Sequence, residues 1–291
     1  MSQRCWRGKR RRRIVDATLG ACLLGTAACG ADVGPQERET PRPTPSPYTA
    51  AECIREVTCD EVMVAAHRGH HLHVPENSLA SIRAAAVLGA EVVEVDVRHT
   101  MDEQLVLMHD TKVDRTTDGN GAVSSMTAEA IRGLSLLGGQ EADPESREVP
   151  SFTDALELAM TLGVMLYVDQ KTDRGDLVRA AVVDAGALEH VLVRTDLASS
   201  VEHLAAEPRL IVMPNASDAD ELATALRAIP ELLVVETKSA AIEVDLYSAA
   251  RARRVKIQQD VFIADVAATT GDYSAWKRYV DEGLFLLQTN V

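Results

Sequence analysis

The sequence predicts a TIM (β/α)8 barrel, an α/β fold, and three observations lead to this fold class. From residue 62 onward short apolar segments alternate with amphipathic stretches, which is typical of repeated β-α units around a parallel sheet. The chain has 291 residues, and a barrel of this kind takes about 250. Polar residues follow directly after several predicted strands, and the active sites of such barrels lie at the carboxyl ends of the strands.

Nine segments are predicted strands, one more than a barrel requires, so one is expected to be an extra short strand or a loop. An open doubly wound sheet is the alternative, but no glycine-rich phosphate loop opens a helix after the first strand. Helices are predicted between most strands, for example Leu79–Leu88, Phe152–Leu162 and Asp176–Ala185. The predicted strands are Val62–Ala66, Glu91–Val97, Leu105–Met108, Met165–Val168, Val191–Val193, Leu210–Met213, Leu232–Val235, Val255–Ile257 and Leu284–Leu287.

The N-terminus predicts an export signal over residues 1–29. A basic run, Lys9–Arg13, precedes the apolar stretch Ile14–Ala28, which is shorter than the ~20 residues that span a bilayer. Thr26-Ala27-Ala28-Cys29 is similar to a bacterial lipobox, which predicts lipidation of Cys29. The protein is therefore expected to be a cell-surface or periplasmic lipoprotein, with plain cleavage and secretion as the alternative.

A proline-rich linker is predicted at residues 30–52, because five prolines that alternate with Thr, Ser and Arg disfavour helix and sheet. The TIM-barrel domain is predicted to follow over residues 53–291. None of the five cysteines lies beyond residue 59, which excludes a zinc cluster or a cysteine nucleophile in the main body. Cys53 and Cys59 are predicted to form a disulfide in an oxidising compartment, with two free thiols as the alternative.

The main body of the chain is strongly acidic. The net charge of the chain is −14, and residues 1–28 carry six Arg, one Lys and one Asp, or +6, so the rest carries −20. Nucleic acid is excluded as a partner, because its phosphates require clustered Lys and Arg. The acidic body suits a protein that binds divalent cations, although acid that serves solubility alone explains the charge equally well. No protein partner is predicted, and the membrane is expected to be contacted only through the lipid anchor.

Two carboxylates inside one apolar strand predict a metal site. Glu94 and Asp96 lie two residues apart and therefore face the same way, and such a pair requires compensation when it is buried. Asp169, at the end of another strand, adds a third carboxylate. Hard oxygen ligands favour Mg²⁺ or Ca²⁺ as the cofactor. Buried salt bridges to Arg or Lys are the alternative.

Two histidines at strand ends predict acid–base catalysis of phosphodiester cleavage. His67 ends the first predicted strand and His109 the third, and this chemistry needs one group to remove a proton and another to protonate the leaving alcohol. Arg68 and Lys171 are the predicted phosphate contacts, Arg through paired hydrogen bonds and Lys as a point charge. A structural hydrogen bond is the alternative role for any single histidine.

The motifs around these residues occur in order over residues 62–171. They are Ala66-His67-Arg68-Gly69, Pro75-Glu76-Asn77-Ser78, Gly89–Val97, Leu105–Asp110, Asp114-Arg115-Thr116-Thr117, Gly119-Asn120-Gly121, Val149-Pro150-Ser151-Phe152 and Asp169-Gln170-Lys171. Together they resemble the opening half of glycerophosphodiester phosphodiesterases, and the resemblance is weak beyond residue 171.

This resemblance implies metal-dependent hydrolysis of small-molecule glycerophosphodiesters to glycerol phosphate and an alcohol. It implies a TIM barrel with a small insertion after the third strand, at about residues 110–150, and a supporting role for Glu76 and Asn77 at the mouth of the site. In that family the substrate's own hydroxyl can attack phosphorus, which gives a cyclic phosphate that water opens. The alternatives are phospholipase D-like cleavage of sphingolipids or lysolipids on the same fold and a non-catalytic surface-binding lipoprotein.

Three features depart from the family pattern. Asp169 stands where the family commonly has Glu, which shortens this ligand by one methylene. Thr289-Asn290 replaces the closing Thr-Asp-Arg-Pro, and residues 255–260 stand near the place of a missing Trp-Thr-Val-Asn strand. These departures are expected to affect the identity of the substrate more than the type of reaction.

Overall fold

The computed structural model describes residues 48–139, 147–239 and 241–290, so the predicted signal, Cys29 and most of the predicted linker lie outside the described residues. Within these ranges no helix is long and apolar enough to cross a bilayer. The strands are β1 (Met63–Ala66), β2 (Val92–His99), β3 (Leu105–Leu107), β4 (Met165–Gln170), β5 (Val191–Arg194), β6 (Ile211–Met213), β7 (Val234–Thr237), β8 (Lys256–Asp260) and β9 (Leu286–Thr289).

Eight of these strands form a nearly closed parallel barrel. They lie in the order β6-β5-β4-β2-β1-β9-β8-β7, and each ladder between neighbours is parallel. A parallel bridge between Asn215 and Glu236 joins the two ends of this order, β6 and β7. Strand β3 is the exception, because it pairs antiparallel with β2. The predicted TIM barrel with one extra short strand is therefore confirmed.

Helices follow the strands and cover the outside of the barrel. The helix at Leu79–Leu88 begins after Ser78, whose hydroxyl accepts a hydrogen bond from the backbone N–H of Ser81, and ends at Gly89 in the left-handed region. The helices are α1 (Ala50–Arg55), α2 (Leu79–Leu88), α3 (Ala128–Arg132), α4 (Phe152–Leu162), α5 (Gly175–Asp184), α6 (Leu197–Ala206), α7 (Ala219–Ala228), α8 (Val244–Arg253), α9 (Phe262–Ala268) and α10 (Ser274–Glu282).

Alternation along the strands separates an outer core from the barrel interior. On β2, Val93, Val95 and Val97 pack in the outer core with the helices, while Glu94 and Asp96 occupy the alternate positions. Because successive side chains of a strand point to opposite faces, these two carboxylates face the interior. The amino-terminal end of the interior is apolar, so the polar groups are confined to the carboxyl end.

Helix α1 closes the amino-terminal end of the barrel. Four of its six residues are buried against the inner core, and a disulfide joins Cys53 to Cys59 with their Cα atoms 5.2 Å apart. Helix α1 begins three residues before residue 53, where the barrel domain is predicted to start. Thr49 and Glu52 form a capping box that starts the helix at residue 50.

The segment between β3 and α4 forms a small lobe at the predicted position of the insertion. It contains α3 and a 3₁₀ turn, Val123–Ser125, and isolated bridges hold its loops together. Its own apolar cluster includes Val113, Ile131 and Leu136, which are buried against Met108 at the end of β3. The lobe therefore packs directly onto the carboxyl end of the barrel, where the site residues lie.

Candidate active site

The turn after β1 fixes the first site residues. Arg68 and Gly69 both adopt positive φ, 54° and 74°, and a Cβ on Gly69 would lie 2.3 Å from Oγ of Ser81. Only glycine fits this position without displacing α2. The turn directs the backbone N–H of Arg68 toward β2, where it donates to Oε2 of Glu94 at 2.7 Å.

Three predicted metal ligands meet at the carboxyl end of the barrel. Carboxylate oxygens of Glu94, Asp96 and Asp169 lie within 4.8 Å of one another, because β2 and β4 are neighbours and Asp96 is opposite Asp169 in their register. Glu94 and Asp96 are 2% and 1% exposed. Burial, together with the charges of Asp96 and Asp169, raises the pKa of Glu94 well above its usual range. Such a crowded set of oxygen donors fits a hard divalent cation.

Two predicted phosphate contacts border these carboxylates. Nζ of Lys171 lies 2.5 Å from Oδ2 of Asp169 and 3.5 Å from Oδ1 of Asp96, and Nε of Arg68 lies 3.5 Å from Oδ2 of Asp96. Burial alone would lower the pKa of Lys171, but the charge and hydrogen bond of Asp169 raise it. Lys171 therefore remains charged beside the carboxylates, and the salt bridges considered from the sequence coexist with the carboxylate cluster.

Asn77 orients one of the carboxylates. Its Nδ2 donates to Oδ2 of Asp96 at 2.8 Å, and its Oδ1 accepts from the backbone N–H of Asp96 at 2.9 Å. Asn77 is 3% exposed and has a φ of 53°, and its own N–H donates to the carbonyl of Arg68 at 3.1 Å. A buried residue in this conformation is held by its surroundings, so Asn77 fixes the orientation of the Asp96 carboxylate.

His67 follows β1 directly, next to Arg68. Its Nδ1–H donates to Oδ1 of Asn290 at 2.8 Å, and its ring centroid lies 4.7 Å from that of Phe262. Burial, with a contribution from the charge of Arg68, lowers the pKa of His67 to about 4. The imidazole is therefore neutral at neutral pH, and the bond to Asn290 leaves Nε2 with its lone pair available.

His109 follows β3 and lies beside Asp110. Its Nδ1–H donates to Oδ1 of Asp110 at 2.7 Å. Arg98 fixes the backbone here, because its Nε and Nη2 donate to the carbonyl of His109 at 3.0 and 2.7 Å and its Nη1 donates to the carbonyl of Lys171 at 3.0 Å. Arg98 thus links the backbone of His109 to that of Lys171, which directly follows β4.

Arg115, from the insertion, bridges two carboxylates at the mouth. It donates to both oxygens of Glu76 and to both oxygens of Asp110. Burial opposes ionisation of Glu76, but the bonds from Arg115 and Arg68 lower its pKa, and the bond from Arg115 also lowers the pKa of Asp110. Sequence reasoning gave Arg115 no role, although the Asp-Arg-Thr-Thr motif that contains it was a visible signal.

A buried polar network behind Asp169 was also missed. Nη1 of Arg194 donates to Oδ1 of Asp169 at 3.1 Å, and its Nε donates to Oε2 of Glu236 at 2.8 Å. The hydroxyl of Tyr167 donates to the other oxygen of Glu236 at 3.1 Å. The signal was present, because Arg194 directly follows the apolar run of β5, where polar residues belong to the carboxyl end of the barrel.

The structure places the predicted site residues at two locations. The disulfide cysteines lie at the amino-terminal end of the barrel, and Cys29 lies outside the described residues. The carboxyl end collects His67, Arg68, Glu76, Asn77, Glu94, Asp96, His109, Asp169 and Lys171.

The barrel and the residues at its carboxyl end define a TIM-barrel protein whose site gathers carboxylates and basic side chains at the strand ends. The chain belongs to the glycerophosphoryl diester phosphodiesterase family, whose sequence model matches residues 67–272. The family membership expected from the motifs is therefore confirmed, and the match extends well beyond residue 171.

Curated relatives align over parts of the chain. Glycerophosphodiester phosphodiesterase 1 of Rattus norvegicus is 38% identical over 125 residues, which are 42% of this chain and 38% of that protein. A glycerophosphodiester phosphodiesterase of Caldanaerobacter subterraneus subsp. tengcongensis is 47% identical over 74 residues, which are 25% of this chain and 30% of that protein. The chain thus spans less than half the length of these relatives.

Solved structures share the fold over most of the chain. A glycerophosphoryl diester phosphodiesterase from Parabacteroides distasonis superposes with a TM-score of 0.70 at 20% identity and covers 82% of this chain and 87% of its own. A phosphodiesterase from Oleispira antarctica, solved with the product sn-glycerol-3-phosphate, gives a TM-score of 0.67 at 21% identity and covers 80% and 95%. At this level of identity the likeness establishes the fold.

Proposed function

We propose that this protein hydrolyses glycerophosphodiesters to glycerol phosphate and an alcohol. The observation that carries the proposal is the meeting of three carboxylates with Arg68 and Lys171 at the end of the barrel where His67 and His109 also follow their strands. The product found in the Oleispira antarctica relative supports glycerol phosphate as the product here. The fold, the family and the site chemistry all favour the same reaction.

The carboxylates of Glu94, Asp96 and Asp169 would hold the divalent cation. The set of oxygen donors fits such a cation. Burial and the neighbouring carboxylates raise the pKa of Glu94, and a cation of charge +2 would offset the repulsion between these carboxylates. When bound, Mg²⁺ or Ca²⁺ supplies charge stabilisation at the phosphate oxygens. Asp169 is one methylene shorter than the Glu that the family commonly has at this position. Arg194 and Lys171 hold the orientation of its carboxylate.

The chain's own residues perform the proton transfers. Arg68 and Lys171 bind the phosphate oxygens, and the buried Nε of Arg68 makes no hydrogen bond within the described residues. Neutral His67 removes the proton from the neighbouring hydroxyl of the substrate as its oxygen bonds to phosphorus. His109 protonates the alcohol oxygen as its bond to phosphorus breaks. Water then opens the cyclic phosphate with the two histidines in reversed roles.

A second candidate is cleavage of lysolipids by the same chemistry. Helix α9 begins at Phe262, against the ring of His67, and its Ile263 and Val266 are each 74% exposed. These apolar side chains lie on the helix that borders the mouth and would suit an acyl chain. Small soluble diesters remain the leading proposal, because the site itself is polar.

The deciding experiment is hydrolysis by the full chain in the presence of Mg²⁺, Ca²⁺ or EDTA. We expect metal-dependent release of glycerol phosphate from glycerophosphocholine and glycerophosphoethanolamine, and loss of turnover in EDTA. Activity on lysolipids alone would favour the second candidate. Bound metal without turnover of any diester would favour a non-catalytic binding lipoprotein.

The roles of the histidines are tested by substitution. His67→Ala and His109→Ala should each lower kcat by about 10²–10⁴-fold, the usual contribution of a general acid or base. His190→Ala is the matched control, because His190 precedes β5 at the opposite end of the barrel and bonds the carbonyl of Val164. Near wild-type rates in either catalytic variant would contradict the assignment.

We further propose export and lipidation at Cys29, on the sequence of the N-terminus alone. In a bacterial host that receives a radiolabelled fatty acid, the full chain should carry the label and sediment with membranes, and Cys29→Ala should abolish both. Label retained in Cys29→Ala would exclude this residue as the attachment site. Unlabelled protein in the medium would favour plain secretion.

A further inference from the structure

The guanidinium of Arg115 makes four hydrogen bonds to two carboxylates. Its Nη1 and Nη2 donate to the two oxygens of Glu76 at 2.8 Å each, which is a bidentate pair. Its Nε and Nη2 donate to the two oxygens of Asp110 at 2.8 and 3.1 Å. The side chain is 46% exposed, so a simple surface ion pair would contribute little. The contact is significant because Glu76 also accepts a hydrogen bond from Arg68 and Asp110 accepts one from His109.

Each carboxylate contacts a residue of the proposed catalytic machinery. Oε1 of Glu76 accepts from Nη1 of Arg68 at 2.9 Å, and Oδ1 of Asp110 accepts from Nδ1 of His109 at 2.7 Å. Arg115 is therefore one residue removed from both a phosphate-binding cation and a proton-transfer histidine. Arg68 follows β1 and His109 follows β3. The hydrogen bonds of Arg115 to Glu76 and Asp110 therefore link two residues that lie after different strands.

The insertion holds Arg115 at a fixed place. The hydroxyl of Thr117 donates to the carbonyl of Val113 at 2.9 Å, and Thr116 and Thr117 are both buried. The Asp-Arg-Thr-Thr turn is thereby anchored on the apolar cluster of the lobe, and Arg115 projects from it toward the mouth. This accounts for the motif, because both threonines hold the turn and the arginine reaches the site.

We propose that Arg115 is a positioning residue that holds Glu76 and Asp110 and, through them, sets the geometry of Arg68 and His109. This inference rests on the proposed function. Without the guanidinium, Glu76 would be left with Arg68 as its cation partner, so it would draw Arg68 away from the phosphate. Asp110 would lose its second contact and would no longer hold the ring of His109 against the leaving group.

The test compares two leaving groups in Arg115→Gln. With glycerophosphocholine, whose alcohol needs a proton to leave, kcat should fall by about 10- to 10²-fold, the scale of a small misplacement of a catalytic group. With the p-nitrophenyl diester of glycerol phosphate the loss should be several-fold smaller, because p-nitrophenolate leaves without a proton. Equal losses on both substrates would overturn the role at His109.

Two further variants separate positioning from folding. Arg115→Lys keeps the charge but cannot bind two carboxylates bidentately, so it should recover only part of the rate, and free guanidinium should partly rescue Arg115→Gln. Arg132→Gln is the matched control, because Arg132 is an exposed arginine at the end of α3 in the same lobe. If Arg132→Gln loses as much rate as Arg115→Gln, the effect belongs to the lobe and the proposal is wrong.

A readout that does not need turnover completes the test. The ¹⁵N resonances of the His109 ring report whether Nδ1 carries its proton in a hydrogen bond, and we expect Arg115→Gln to shift them while Arg132→Gln does not. If the wild-type protein fails to hydrolyse any diester and this shift still occurs, the proposed function fails and the coupling stands. Unchanged His109 resonances in Arg115→Gln would refute the coupling itself.

Discussion

At the scale of single residues, the turn after β1 is the most demanding position of the site. Gly69→Ala would place a Cβ against both the side chain and the backbone of Ser81, at 2.3 and 2.6 Å, and its φ of 74° disfavours any residue with a Cβ. We expect a loss of more than ~1 kcal/mol in the free energy of unfolding and reduced turnover, because Arg68 and Glu94 are joined through this turn.

Denaturant unfolding of Gly69→Ala and Gly186→Ala checks this expectation. Gly186 has nearly the same φ, 70°, but a Cβ there would meet nothing within 4 Å. The control therefore carries the backbone strain without the steric clash. If the two variants unfold alike, the contact with α2 is unimportant.

The protonation of His67 is a second expectation at this scale. Because burial lowers its pKa to about 4 in the folded protein, an NMR titration of its ring should show a midpoint near 4, below the ~6.5 of an exposed histidine. Between these two values the unfolded chain binds the proton more readily, so this residue costs stability as pH falls from 6.5 toward 4. A midpoint near 6.5 would contradict the assignment of His67 as a neutral base.

The sequence revealed the residues that lie at strand ends and missed the residues that hold them. Glu94 and Asp96 were recognisable because carboxylates are costly inside an apolar strand. Asn290 contacts His67 from the other end of the barrel domain's sequence, and Arg115 contacts Glu76 across 39 residues of sequence. The motif around Arg115 is visible in the sequence, but the partners of Arg115 and Asn290 are not, since these contacts depend on how the insertion and the last strand pack.

At the scale of elements, the network that joins β4, β5 and β7 stabilises the barrel and orients Asp169. Arg194→Leu would leave Glu236, which is 6% exposed, without its cation. Breaking a buried ion pair of this kind costs about 3–5 kcal/mol, and we expect a similar loss in the free energy of unfolding. Metal affinity, measured by calorimetry, should also fall because Asp169 loses a partner.

The matched control for this prediction is Arg209→Gln. Arg209 pairs with Glu207 on the surface, and its side chain is 69% exposed, so its removal should leave the free energy of unfolding nearly unchanged. Equal destabilisation by the two substitutions would show that burial of the Arg194 pair is unimportant. Unchanged metal affinity in Arg194→Leu would show that this network does not orient Asp169 for metal binding.

The prediction of elements failed mainly at strand ends. The helices at 79–88 and 152–162 were predicted with correct bounds, because caps and glycines mark them. The fourth strand was ended at residue 168 but continues through Gln170, and the eighth was ended at residue 257 but continues through Asp260. In both cases the predicted strand stopped at its last apolar residue, whereas strands of this barrel continue into the polar residues of the site.

At the scale of the whole molecule, the two ends of the barrel have different tasks. The carboxyl end holds all the described residues of the proposed chemistry. At the amino-terminal end α1 packs on the inner core, and Lys256 donates to the carbonyls of Cys53, Glu56 and Cys59 while its Nζ lies 4.2 Å from the ring centroid of Phe285. Stability and turnover should therefore respond separately to changes at the two ends.

The disulfide provides the test of this separation. Replacing both Cys53 and Cys59 by Ser should lower the free energy of unfolding by ~2 kcal/mol, because the bond closes a short loop and constrains the unfolded chain. At a temperature where the variant stays folded, kcat and metal affinity should match the wild type, since the bond lies at the opposite end of the barrel from the carboxylates. Reduction of the wild-type protein with dithiothreitol should reproduce the loss of stability. A fall in kcat without unfolding would show that α1 influences the site through the barrel interior, and the two ends would then have to be treated as one cooperative unit.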